Sequence, residues 1–109
     1  MLKESEYIMI RVSVPTESAD KVRRALGDAG AGVQGNYKCC SASYQQVGRF
    51  LPMTGAHPAI GEVGKLEEVP EEMIETICHR DIVEEVITEL KRVHPYETPA
   101  IDIVPRLEV

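Results

Sequence analysis

The sequence predicts an α+β sandwich of the ferredoxin-like type, in which two βαβ units build one antiparallel sheet with both helices on one face. Three observations point there. Residues 7–14 alternate apolar and polar with the period of a half-buried strand, and residues 73–78 (MIETIC) read as a strand in the corresponding place. Each is followed by an apolar stripe at helical spacing. The halves also align: a shift of 64 positions carries Ile10 onto Ile74, Val22 onto Val86, Leu26 onto Leu90 and Ala29 onto Val93.

In chain order, Ile8, Ile10, Val12 and Val14 give the first strand its inner face, and Pro15 ends it. Thr16 or Ser18 is placed to cap a first helix, with Glu17 and Asp20 suited to its N-terminal dipole. Ala19, Val22, Leu26 and Ala29 form that helix's apolar face, and Gly30 and Gly32 end it. A second strand is expected from near Asn36 through Gln46, broken by Gly48, with residues 49–52 returning as a short strand. Residues 53–66 hold three Gly and one Pro without any period, and long loops of this kind often carry function. Asp81 with Glu84 has the spacing of a capping box. Ile82, Val83, Val86, Ile87, Leu90 and Val93 make the buried stripe of the second helix, and residues 100–104 form the last strand. The outer sheet face presents Tyr7, Met9, Arg11 and Ser13, a mixture that suits packing against another subunit, so a homo-oligomer, trimer or dimer, is expected.

Composition narrows the function. A chain of 109 residues suits one domain, 1–109, and a 43% hydrophobic share can fill its core. Aromatics make up only 5% and Trp is absent, so the core must be aliphatic. A net charge of -6, with 18 acidic against 12 basic residues and no dense Lys/Arg run, argues against nucleic acid or anionic lipid as a partner. The N-terminal apolar run is too short and too charged for a signal peptide, and no stretch approaches the roughly 20 apolar residues of a membrane span. Three Cys in such a chain read as reduced thiols of a cytoplasmic protein.

The residues able to carry chemistry concentrate in HPYETP (94–99). Folding explains its prolines: Pro95 cannot continue the helix, and Pro99 begins a strand where a missing N–H does little harm. His94 falls on the last helical turn, where the dipole favours a protonated ring. Helix termination does not require Tyr96 and Glu97, which makes the segment a candidate ligand or interface site. Cys39 and Cys40, read as strand neighbours, point to opposite faces and cannot hold one ion together. Their plainer reading is as small hydrophobes. A metal site would need His94, His79 or Glu97 to converge on one Cys, and no CxxC or HxxxH spacing supplies it. The glycine loop has neither a Walker nor a dinucleotide pattern. Gly61 and Gly64 suit tight turns, and Lys65 is the nearby cation for an anion contact. Glu67, Glu68, Glu71, Glu72 and Glu75 read as a solvated strand edge that discourages aggregation. Ser41 and Ser43 have no adjacent base and no nucleophile elbow occurs, so an enzyme is not expected.

Four stretches taken together, GNYKCCSAS (35–43), GRFLP (48–52), GAHPAIGEVGKLEEVPEEMIETI (55–77) and HPYETPAIDIVP (94–105), resemble the insert domain of the Nif-three-like, or YqfO-type, proteins in stand-alone form. The likeness covers about residues 5–107. Gly35, Asn36 and Tyr37 match the family's Gly-x-Tyr lead into the second strand, and Cys40 and Ser41 its Cys-Ser pair. Gly61, Gly64 and Glu67 match its Gly-x-x-Gly-x-x-Glu loop, and Glu75 the acidic position of the third strand. His94, Pro95, Tyr96, Glu97 and Pro99 match its HPYE-x-P end. Ala42 stands where an aromatic is usual, Cys39 where His or another polar residue is common, and Cys78-His79-Arg80 where Val-Pro is more typical. The resemblance implies a fold close to the CutA and P-II signalling proteins, which form trimers with ligands or metals at subunit clefts. It also implies that the family's two-metal centre lies outside the insert, so the family's hydrolase and GTP-cyclohydrolase labels are not expected to transfer.

These readings converge on a non-enzymatic, oligomeric regulatory module that binds a small ligand or a divalent metal. The expected cleft is lined by Tyr37, Cys39, Gly61, Gly64, Lys65, His94, Tyr96 and Glu97, with Cys39, His94 and Glu97 as the metal-ligand set. The alternative is a protein-interaction module without a small ligand, using a sheet face or the acidic edge.

Overall fold

The first strand runs further than residues 7–14. In a computed structural model describing residues 1–109, β1 spans Lys3–Pro15. A 3₁₀ turn at Thr16–Ser18 leads into α1 (Ala19–Asp28), followed by β2 (Ala42–Phe50) and β3 (Glu67–His79). A second 3₁₀ turn, Arg80–Ile82, leads into α2 (Val83–Val93), and β4 (Ile101–Glu108) closes the order. The strands form one antiparallel sheet in the order β2-β3-β1-β4. Ile10 stands opposite Thr76 on one side and Ile103 on the other, and Ala42 to Phe50 run against Glu75 to Glu67.

Both helices lie against one face. Ile8, Ile10, Val12 and Val14 of β1 meet Ile74 and Cys78 of β3, Ala19, Val22 and Leu26 of α1, and Val86 and Leu90 of α2 in a single buried cluster. That cluster contains no aromatic ring, as the composition requires. The repeat pairs Ile10/Ile74, Val22/Val86 and Leu26/Leu90 all belong to it. Burying each such aliphatic side chain contributes about 1.5–3 kcal/mol, so the repeated apolar stripes drive the sandwich.

Several local expectations are corrected. The second strand starts at Ala42, not near Asn36. Beyond Thr76 the flank of β3 is already occupied: Gly32 N–H donates to the Ile77 carbonyl at 2.7 Å, and Thr76 Oγ1 donates to the Cys40 carbonyl at 2.7 Å. Residues 36–41 therefore fold back as a turn segment, with Gln34 bridging Tyr37. Cys39 sits there in left-handed backbone (φ 59°), so the argument from strand neighbours does not apply to it. Gly48 does not break β2 but pairs with Val69, and Arg49 and Phe50 continue the strand opposite Glu68 and Glu67. Residues 49–52 form no return strand.

Neither helix is capped as expected. No side-chain cap forms at Ser18 or Ile82. Instead His79 Nδ1 accepts the Asp81 N–H at 3.1 Å and caps the 3₁₀ turn before α2. The acidic run lies on β3, an interior strand, and Glu71 is only 4% exposed, so this is not a solvated edge.

Candidate functional site

The face of the sheet opposite the helices carries Ser13 of β1, Gln46 and Gly48 of β2 and Glu71 of β3. Over this end of it the long loop and the HPYETP segment partly cover a cavity of about 630 Å³. Phe50, Leu51, Pro52, Met53 and Ile60 supply apolar wall. Tyr96, Glu97, Thr98 and Ala100 close another side.

The polar groups at its base form a connected network. Tyr96 Oη donates to Glu71 Oε2 at 2.8 Å, and Gln46 Nε2 lies 3.1 Å from Glu71 Oε1 and 3.0 Å from Ser13 Oγ. Gly48 makes room for this arrangement, because a Cβ there would fall on the Glu71 carboxylate. Phe50 packs edge-on against Tyr96 with ring centroids 5.7 Å apart. Burial, reinforced by the Glu71 carboxylate, pushes the Tyr96 phenol well above its ordinary value of 10.0, so it stays protonated and donates.

HPYETP thereby gains a structural account. His94 is buried at the end of α2, its Nε2 is 2.7 Å from the Ser13 carbonyl, and its Nδ1 accepts the Tyr96 N–H at 3.1 Å. An Nδ1 that accepts carries no proton, so Nε2–H donates and the ring is the neutral tautomer. Burial holds the imidazole below 6.5, outweighing Ser13 and Glu71, which both favour the charged form. The protonated ring expected from the helix dipole is thus overridden by desolvation. Glu97 Oε1 accepts the His57 N–H at 3.0 Å and ties the segment to the long loop. His94, Tyr96 and Glu97 therefore reach β1, β3 and the loop respectively.

Of the residues expected to line one cleft, Tyr96 and Glu97 do so. His94 acts from behind as a buried support. Gly61, at φ 90°, gives room to the Glu67 side chain, and Gly64, at φ 84°, donates its N–H to the Pro52 carbonyl at 2.9 Å; both shape the loop without lining the cavity. Lys65 reaches Glu67 at 4.0 Å rather than the cavity. Tyr37 is 75% exposed and Cys39 borders a separate depression of about 10 Å³ beside α1, its side chain packed on Gly27. The expected metal set fails on geometry: Cys39, His94 and Glu97 do not come together, no three His, Cys, Asp or Glu side chains form a metal-binding group, and both His94 nitrogens are engaged.

Ser13, Gln46, Phe50 and Glu71 join the site although the sequence gives none of them a place in the cleft. The alternation of β3 did contain one signal for Glu71, since it places that residue on the same face as Met73 and Glu75. Only the packing of the long loop and HPYETP over the sheet shows that this face is partly roofed.

The fold is a CutA-like, P-II-like ferredoxin sandwich. The periplasmic divalent cation tolerance protein CutA from Archaeoglobus fulgidus superposes with TM-score 0.66 at 22% identity, over 92% of this chain and 83% of that one. A PII-like protein CutA from Nostoc sp. PCC 7120 superposes with TM-score 0.64 at 14% identity, over 94% and 80%. Within that class the sequence matches the Nif-three-like proteins. It is 46% identical over 96 residues to a GTP cyclohydrolase 1 type 2 homolog from Bacillus subtilis, covering 88% of this chain and 26% of the relative. A Bacillus cereus protein related to NIF3 superposes with TM-score 0.80 at 40% identity, over 97% of this chain and 26% of that one. The chain spans about a quarter of the length of the curated relatives it matches. No family model matches it.

Proposed function

We propose that the chain is a non-enzymatic regulatory module that binds a small organic ligand in the cavity roofed by the long loop and HPYETP, and that it works as a homo-oligomer. One observation carries this reading: a cavity of about 630 Å³, within the range of small-molecule sites, joins an apolar wall to a part-buried polar base held by side chains from four separate segments. Similarity to Nif-three-like proteins and CutA supports a small binding module. The relatives carry the name GTP cyclohydrolase 1 type 2 homolog, and because this chain covers about a quarter of their length we transfer no activity from that name. We place the protein in the cytoplasm on the strength of its three free thiols. No helix is long and apolar enough to cross a membrane. The acidic-edge version of the protein-interaction alternative loses its premise, since β3 is interior and Glu71 is buried.

Native mass spectrometry of the protein purified without a metal-affinity tag tests the reading. The expected result is an oligomer carrying added mass that Ile60→Trp, which fills the cavity, removes. Added mass that survives Ile60→Trp refutes the site. A bare monomer whose melting temperature no small metabolite raises refutes the module.

A further inference from the structure

We infer that the ligand taken by this cavity carries a cationic nitrogen, an ammonium or amidinium group, on an apolar body, and that Glu71 is its counter-charge. The inference rests on the proposed ligand-binding reading and adds the chemical class.

The acidic run of β3 provides the contrast. Glu67 has Lys65 at 4.0 Å, Glu68 has Arg49 at 3.5 Å, Glu72 has Arg23 at 2.7 Å and Glu75 has Arg11 at 3.8 Å. Glu71, the most buried of the five at 4% exposure, takes part in no ion pair. Its only partners are the neutral donors Tyr96 Oη and Gln46 Nε2, one on each oxygen. A carboxylate accepts about four hydrogen bonds, so acceptor capacity remains on both oxygens of a group that borders the cavity. Buried carboxylates are ordinarily paired with a cation, because desolvation of the unpaired charge is costly.

The surroundings select the same charge. Glu97 is the second carboxylate lining the cavity, and it too is in no ion pair. Arg49, the one cation in the lining, is already beside Glu68. An anionic ligand would meet two carboxylates against one engaged guanidinium. Phe50, Leu51, Pro52, Met53 and Ile60 supply an apolar wall for the uncharged body of the ligand. Gly48 completes the site, since any side chain there would displace the Glu71 carboxylate.

The test titrates the full chain near neutral pH with three probes of one shape: 4-phenylbutylamine, 4-phenylbutan-1-ol and 4-phenylbutyrate, read by ligand-observed NMR and calorimetry. The expected result is that the amine binds at least tenfold more tightly than the alcohol, that the acid binds least, and that Glu71→Gln brings amine and alcohol together. The wild-type comparison stands alone if Glu71→Gln does not fold. Amine and alcohol binding equally, or the acid binding best, overturns the cationic class while leaving the cavity a ligand site. Binding of none of the three overturns the cationic class, and binding unaffected by Ile60→Trp overturns the site itself.

Discussion

Tyr96→Phe deletes one oxygen and leaves the ring, so it isolates the hydrogen bond at the base of the cavity. The phenol donates to Glu71 Oε2 at 2.8 Å, and Glu71 has no cation to replace it. A hydrogen bond to a charged acceptor contributes about 1.5–3 kcal/mol, and the variant leaves that acceptor buried with one donor fewer. In a domain of this size, 1 kcal/mol moves the melting temperature by about 4–8 °C, so the variant is expected to melt roughly 10 °C lower. The edge-on packing on Phe50 survives, which keeps the loss attributable to the hydroxyl. The assay is urea unfolding followed by circular dichroism, for wild type, Tyr96→Phe, Glu71→Ala and the double variant. Groups in direct contact are expected to couple by about 1 kcal/mol or more. Additivity within about 0.5 kcal/mol, or a Tyr96→Phe loss below that figure, would refute the view that this bond holds HPYETP to the sheet.

Other outcomes follow from the same structure. Because burial holds the His94 imidazole below 6.5, the unfolded chain takes up that proton first. Stability is therefore full above pH 6.5 and declines as pH falls from there through the folded-state value, and His94→Gln is expected to flatten this slope in urea midpoints taken across that window. Leu90→Ala, at a fully buried position, should cost about 2–5 kcal/mol in urea unfolding, whereas Leu107→Ala, at a position 61% exposed, should change stability by less than about 0.5 kcal/mol. A maleimide added to the native protein should label exposed Cys39 first and leave Cys78 untouched until unfolding, since Cys78 is buried and desolvation raises its thiol; mass mapping of the labelled peptides decides it.

The sandwich is legible from periodicity and the internal repeat. Strand and helix periodicities are local properties, and the repeat of 64 positions applies one core pattern twice, so Ile10, Ile74, Val22, Val86, Leu26 and Leu90 could be assigned to the core without coordinates. HPYETP stood out for the same reason, because its prolines accounted for the end of a helix and left Tyr96 and Glu97 unexplained. What those residues meet depends on how the chain packs. Glu71 looked like one acid among five, and its burial depends on strand order, on the absence of a side chain at Gly48 and on the arrival of Tyr96 from 25 residues further along the chain. The failure of Cys39 to join His94 is equally non-local, because the Gly32–Cys40 turn takes the flank of β3 that a longer β2 would have used. Periodicity reports which face a side chain takes, whereas partners distant in sequence are set by how the strands are ordered and what covers the open face of the sheet.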